Sequence, residues 1–394
     1  MTFTPSIASL AKDGVPIKLS RRLPTDMTPS ELTRAVEALA PPYDLTETNP
    51  TRVELVYPEG DLAWALGGAT ALASYEPDAM GMRSARDFLS GVAGVPVDHL
   101  LVTASTSEAY AIAIKAFVDP GGLVAVPRPS YPLIPHLAQL EGAETVWYDL
   151  IAEERFRIDL ASLQRALVAG AKVVVIVSPN NPTGSVASDD EIAEAAFLCA
   201  ERGAVLVIDR VFAAYALEGV VPELPKNLPG LVIALDGLSK RAAMPQLKLA
   251  WMALHGDAAD SVASALAWVN DAYLSAATPV QRALPAIWPH GEAMAAQIGS
   301  RLRTNLATLR AGALSVKAVG VLPVAAGWSV VVRVPRVVDD DGWTLACARA
   351  GVKVAPGYLY DFDRPGFLVL SLLPKPQSFA AGVRRFITVA QELV

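Results

Sequence analysis

Cysteine is scarce in this 394-residue chain: Cys199 and Cys347 stand far apart and outside any C-x-x-C spacing. That excludes a disulfide framework or a thiolate zinc site, and a reduced compartment fits. Charge is scarce too. Asp, Glu, Lys and Arg make up 19% of the residues, below the roughly 25% of an average globular chain, and the net charge is −7. No basic face is available for a phosphate backbone, so nucleic acid is not an expected partner. The opening "MTFTPSIASLAKDG" has no basic segment followed by an apolar one, so no secretory signal is expected and a cytoplasmic location is. The most apolar late stretch, 318–332, is broken by Gly320, Pro323 and Gly327. It is shorter than the roughly 20 residues of a membrane-spanning helix and reads as strands and a turn.

Apolar residues, by contrast, make up 52% of the chain. They imply a large core and a buried oligomer interface, and the length allows a large domain with a smaller companion. Short runs rich in Val, Ile and Leu end in small or polar residues: "LLVTAS", "LVAVPRPSY", "VVVIVSPNNPTG", "AVLVIDR" and "LVIALDGLSK". Helical stretches separate them. One is "SDDEIAEAAFLCAERG", with Ser188 as its start, acids in its first turn and Gly203 as its stop. This alternation predicts an α/β fold with a parallel sheet covered on both faces. The later part predicts a helix over 292–313, strands in "WSVVVRV", "VKVAP" and "FLVLSLL", and a final helix in "SFAAGVRRFITVAQELV". The expected division is a large domain over 61–289 and a small α+β domain built from 1–60 and 290–394. The acidic 339–341 reads as a solvated loop and helix cap, and no metal site is expected.

Ligands of open parallel sheets bind beyond the carboxyl ends of the strands. Those ends carry Ser105, Thr106 and Ser107, then Tyr131, Asn181, Asp209 and Lys240. Each has a plain structural reading. Asn181 suits a turn before proline, Asp209 a helix cap, Tyr131 the core, Ser105 to Glu108 a capping box, and Lys240 and Lys248 a solvated loop. Together they have a chemical one. A Schiff-base amine, a carboxylate that keeps a pyridine nitrogen protonated and a helix start that holds a phosphate are what pyridoxal phosphate requires.

With "STSEAY", "PRPSYP", "SPNNPTG", "VIDRVF", "GLSK", "LKLAW" and "VAPGYLYDF" in this order, the chain resembles the class I/II aminotransferases, fold-type I pyridoxal-phosphate enzymes. The resemblance implies a doubly wound, mostly parallel sheet with a small domain made from both chain ends. It implies Lys240, preceded by Ser239, as the Schiff-base lysine that shuttles the substrate's proton. Asp209 would partner the ring nitrogen, Asn181 the phenolic oxygen, and Tyr131 would stack on the ring. Thr106 and Ser107, with Ser105, would hold the phosphate. Tyr75 is similar to the tyrosine that reaches the neighbouring subunit's phosphate, which implies a homodimer with shared sites.

Four positions depart from the family pattern. Lys248 stands where the family has an arginine, which makes the phosphate clamp a point charge. Gly237 replaces a hydroxyl residue, and Phe212 replaces a tyrosine that donates to the phenolic oxygen. Losing that donor raises the pKa of the lysine linkage. Val369 stands in place of the substrate-carboxylate arginine, so an α-amino acid loses its bidentate anchor. Arg333 in "GWSVVVRV" and the backbone amides near Asn49 in "TETNPT" are the expected substitutes, though Arg333 also reads as a surface residue of an edge strand. The resemblance implies a ping-pong aminotransferase of amino-acid metabolism. Two alternatives stay open: another pyridoxal-phosphate reaction (lyase, racemase or decarboxylase), or a cofactor-binding protein without turnover.

Overall fold

The computed structural model describes residues 20–24, 26–68 and 77–394. Helix α1 (Glu31–Leu39) starts on Ser30, whose hydroxyl accepts from the Thr33 amide at 3.1 Å. The short strand β1 (Tyr43–Asp44) and helices α2 (Glu59–Gly67) and α3 (Arg83–Ala93) follow. An eight-stranded sheet then forms from β2 (Leu100–Thr103), β3 (Leu123–Arg128), β4 (Glu144–Ile151), β5 (Arg157–Ile158), β6 (Ala171–Val177), β7 (Val205–Asp209), β8 (Leu231–Gly237) and β9 (Ala250–His255). Its order is β2-β9-β8-β7-β6-β3-β4-β5.

The centre of this sheet is parallel, as expected from strands such as VLVID and LVIALDG, which are buried at every residue. Each buried Val, Leu or Ile contributes about 1.5–3 kcal/mol, enough to offset the local entropy of an extended chain. Helices α4 (Thr106–Phe117), α5 (Leu133–Leu140), α6 (Leu160–Val168) and α7 (Asp189–Ala200) connect and cover the strands. Helix α7 begins with the reciprocal Ser188–Glu191 capping box that its sequence suggests. The sheet is not parallel throughout. Strand β9 runs antiparallel to both β8 and β2, and β5 runs antiparallel to β4.

After β8 comes a single turn, α8 (Leu238–Arg241), and after β9 come α9 (Ala259–Asp271) and the 36-residue α10 (Thr278–Ala313). The expected helix 292–313 is therefore only the second part of α10, and the expected boundary at 289/290 falls inside one continuous helix. Pro285 and Pro289 lie within it, exposed. The buried series Val280, Leu284, Ile287, Met294, Ile298 and Leu302 holds the helix together across them.

The remaining chain gives β10 (Gly320–Val321), β11 (Ser329–Arg333), α11 (Asp340–Arg349), β12 (Val352–Lys353), β13 (Ala355–Pro356), β14 (Phe367–Ser371) and α12 (Pro376–Leu393). Strands β10-β11-β14-β13 form a second sheet, and β12 pairs in parallel with β1 from the other end of the chain. Asp339 caps α11 by accepting from the Gly342 amide at 2.7 Å. No helix among the described residues is long and apolar enough to cross a membrane.

The two sheets meet through residues 324–327. The amides of Ala325 and Ala326 donate to the Gly184 carbonyl at 2.9 and 3.0 Å, and that of Gly327 donates to the Tyr215 carbonyl at 2.9 Å. The amides of Leu217 and Glu218 in turn donate to the Ala325 carbonyl. This clamp sets Trp328 and Ser329, the first residue of β11, against the segments that follow β6 and β7.

Candidate active site

Register alone aligns the ends of three parallel strands, because Val177 of β6, Asp209 of β7 and Leu235 of β8 lie side by side. Asp209 is the last residue of its strand and 5% exposed. Its Oδ1 accepts from the Val211 amide and its Oδ2 from the Tyr110 hydroxyl, each at 3.0 Å. Burial pushes this carboxyl up to about 6, against the pull of those two donors and of the Lys240 charge. No cation lies within ion-pair distance of it among the described residues.

Lys240 lies on α8, one short turn beyond β8. Its Nζ lies over the Trp328 ring, 5.2 Å from the centroid. Burial lowers its pKa, opposed by the Asp209 charge, so the neutral, nucleophilic amine is more accessible than in an exposed lysine. The Tyr215 hydroxyl donates to the Lys240 carbonyl at 2.5 Å, which fixes the backbone of that turn. Tyr215 therefore does not supply the donor that Phe212 lacks. The Phe212 ring packs at 66° on Trp328, with centroids 5.4 Å apart.

Helix α4 places its start at the same edge. Ser105 is its N-cap, and the Ser105 hydroxyl accepts from the Glu108 amide at 3.2 Å. The expected capping box is not reciprocal. Glu108 accepts from the Ala104 amide at 2.6 Å instead, and from the Ser275 hydroxyl. The amides of Thr106 and Ser107 lie in the first turn, where a helix has no internal acceptors for them. Lys248 stands two residues before Ala250, the first residue of β9, which pairs with Thr103 at the end of β2. Lys248 is exposed and takes left-handed backbone at φ 51°. A Cβ on Gly237 would lie 2.8 Å from the Ala250 Cβ, so β9 leaves no room for the hydroxyl residue that Gly237 replaces.

Asn181 is half-buried, and its Oδ1 accepts from the Ser329 hydroxyl at 3.3 Å, which leaves the NH2 end to donate elsewhere. Tyr131 is 39% exposed at the mouth, and the neighbouring Ser130 amide donates to the Tyr360 carbonyl at 3.0 Å. Ser239 is half-buried beside Lys240. Tyr75 lies outside the described residues.

Of the two expected carboxylate groups, Arg333 is not brought to this site, whereas the segment before Asn49 lies on Ser371, the cross-strand partner of Ser329: the Ser371 hydroxyl donates to the Glu47 carbonyl. Ser329 is the site end of β11. Arg333 is exposed at the other end, paired with Phe367 and Gly320, about 13 Å away along the strand. The Asn49 amide donates to Glu47 Oε1 at 2.7 Å and the Thr51 amide to Asn49 Oδ1 at 3.0 Å, so those donors are taken by their own turn. Val369 is 2% exposed and packs with Val331 and Ala355. Three participants have no role assigned from the sequence: Tyr110, which ends the motif STSEAY, Tyr215, and Trp328, which opens WSVVVRV. For Tyr110 the available signal is its place four residues after Thr106, one turn along the same face of α4.

A buried amine, a buried carboxylate without a cation and an open helix start are suited to an aldehyde-bearing, phosphorylated ring with a basic nitrogen. The family model described as aminotransferase class I and II matches residues 82–375. A putative aminotransferase YugH of Bacillus subtilis (strain 168) is 29% identical over 229 residues, 54% of this chain and 59% of that protein. Nicotianamine aminotransferase 1 of Oryza sativa subsp. japonica is 29% identical over 160 residues, 40% of this chain and 32% of that protein. The matched stretches thus span about a third to three-fifths of those two relatives. Among solved structures, an alanine aminotransferase from Pyrococcus furiosus superposes with a TM-score of 0.84 at 20% identity, covering 95% of this chain and 100% of that one. A double mutant of Thermus thermophilus aspartate aminotransferase gives 0.82 at 21% identity, with the same coverage.

Proposed function

Because the chain belongs to the class I and II aminotransferases, we propose that it is a pyridoxal-phosphate-dependent enzyme that moves an amino group between an amino acid and a 2-oxo acid by a ping-pong mechanism. The observation that carries this reading is Asp209, a 5%-exposed carboxylate with no cation beside it among the described residues. A buried charge without a partner is expensive, and a protonated ring nitrogen is the partner that fits.

Pyridoxal phosphate, when bound, supplies an aldehyde carbon, a ring nitrogen that carries a proton and an electron-withdrawing ring. Asp209 holds that proton in place. Lys240 Nζ would hold the cofactor through its aldehyde carbon, with loss of water, and the start of α4 at Ser105, Thr106 and Ser107 would hold the phosphate, with Lys248 adding a single cation. The Asn181 NH2 group donates to the phenolic oxygen, and Tyr131 covers the ring face. Lys240 Nζ would also be the base for the proton on the donor's α-carbon.

The active form is a homodimer in a cytoplasmic setting, with the partner's Tyr75 completing each phosphate site. Val56, Trp64 and Trp268, 77–80% exposed in the single chain, support a covering partner. A fully active monomer in sedimentation would contradict the dimer. Val369 favours a second reading of the substrate: with no cation at the family's anchor position, a donor without an α-carboxylate leaves no buried anion unpaired.

The experiment is borohydride reduction after adding pyridoxal phosphate. The label should map to the peptide carrying Lys240, and Lys240→Ala should abolish both the visible band and the label. Label on Lys248 would reverse the two lysines, and no label on either would overturn the reading.

A further inference from the structure

We propose that Tyr110 is the positioning residue for Asp209, so that one helix carries both the phosphate cradle at its start and the hydroxyl that fixes the ring-nitrogen carboxylate one turn later. The inference rests on the proposed function and goes beyond it. Tyr110 is 2% exposed, and its hydroxyl lies 3.0 Å from Asp209 Oδ2. It stands four residues after Thr106 on α4, about 6 Å along the helix axis. The ring belongs to the apolar cluster that seats α4 on the sheet, together with Val207 of β7 and Leu235 of β8.

The chemistry gives the contact a direction. Burial and the Asp209 charge hold the Tyr110 phenol well above its ordinary pKa, so it stays protonated and donates. The Val211 amide is the other donor to this carboxylate, through Oδ1. Removing Tyr110's hydroxyl leaves Oδ2 without a protein donor in a dry site, and the acid form of Asp209 gains relative to the anion. The other titratable groups that face Asp209 are Lys240 on α8, Asp236 on β8 and Tyr131 after β3. Tyr148 joins Tyr131 and Asp209 in acting on Tyr110. A Tyr110→Phe change alters none of these groups. The phosphate cradle stays intact while the charge partner of the ring nitrogen weakens as the pH falls.

The test measures affinity across pH 5 to 9 for two ligands: pyridoxal phosphate, and its deaza analogue with carbon in place of the ring nitrogen. For pyridoxal phosphate, the acid limb of binding should move to higher pH by about one unit in Tyr110→Phe, the size expected for one hydrogen bond to a buried carboxylate. The deaza analogue should bind wild type and variant alike at every pH, because it has no proton for Asp209 to hold. The phosphate's own titration is common to both ligands and cancels. Equal weakening of both ligands, or an unmoved acid limb, would overturn the inference. If Tyr110→Phe does not fold, 3-fluorotyrosine at position 110 carries the test, since a stronger donor should move the limb to lower pH, and an unmoved limb again overturns it. A wild-type protein that binds no pyridoxal phosphate would instead overturn the proposed function, and this inference with it.

Discussion

A carboxylate 5% exposed at a strand end loses most of its hydration, and Asp209 shows the consequence in a carboxyl raised from 3.8 to about 6. A raised acid favours the protonated folded state. Its penalty is absent below the unfolded value, grows between pH 3.8 and about 6 and is complete above that. The magnitude is on the order of 3 kcal/mol. Unliganded Asp209→Asn should therefore melt above unliganded wild type at pH 8, with the gap closed at pH 4. His255, pushed down to about 4 by burial, acts in the opposite direction as pH falls but is common to both proteins. Equal melting temperatures at pH 8 would contradict the assignment. Lys240, Asp209 and Asn181 are legible in the sequence because each ends an apolar run with a residue the chemistry needs. Tyr110 is not, because it reads as a core aromatic and its partner lies 99 positions away.

At the scale of elements, the most demanding contact is the turn after β6. Gly184 has φ 66°, and a Cβ there would lie 2.3 Å from Val324 Cγ2 and 2.6 Å from the Ala326 carbonyl oxygen. Only glycine permits the turn to press against the clamp that places Ser329 on Asn181. Gly184→Ala should lower stability by about 2–3 kcal/mol, seen as an earlier denaturant midpoint, and should weaken cofactor binding with it. A midpoint within about 0.5 kcal/mol of wild type would contradict the close approach. The central strands are legible because parallel strands buried on both faces leave unbroken apolar runs. Strand β4, ETVWYDLI, is hidden by its polar residues, and the direction of β9 depends on pairing that no local pattern encodes. The first turns of α10 are hidden because Pro285 and Pro289 read as breakers, and only burial of the opposite face overrides them.

At the scale of the whole molecule, the order of motifs gives the architecture, because a doubly wound sheet sends the carboxyl ends of its parallel strands to one edge. The order does not give the substrate. Pocket walls are built from packing between distant strands, and only the pairing of β11 with β14 shows that Arg333, the expected substitute for the anchor missing at Val369, lies at the far end of its strand. The central claim is that this edge performs transamination. The most direct measurement is a single half-reaction: protein loaded with pyridoxal phosphate is mixed with a panel of amino donors, some with and some without an α-carboxylate. The visible band should give way to that of pyridoxamine phosphate, with one equivalent of carbonyl product per site, for at least one donor. Release of carbon dioxide or ammonia in place of that product, or an unchanged band with every donor, would contradict the account.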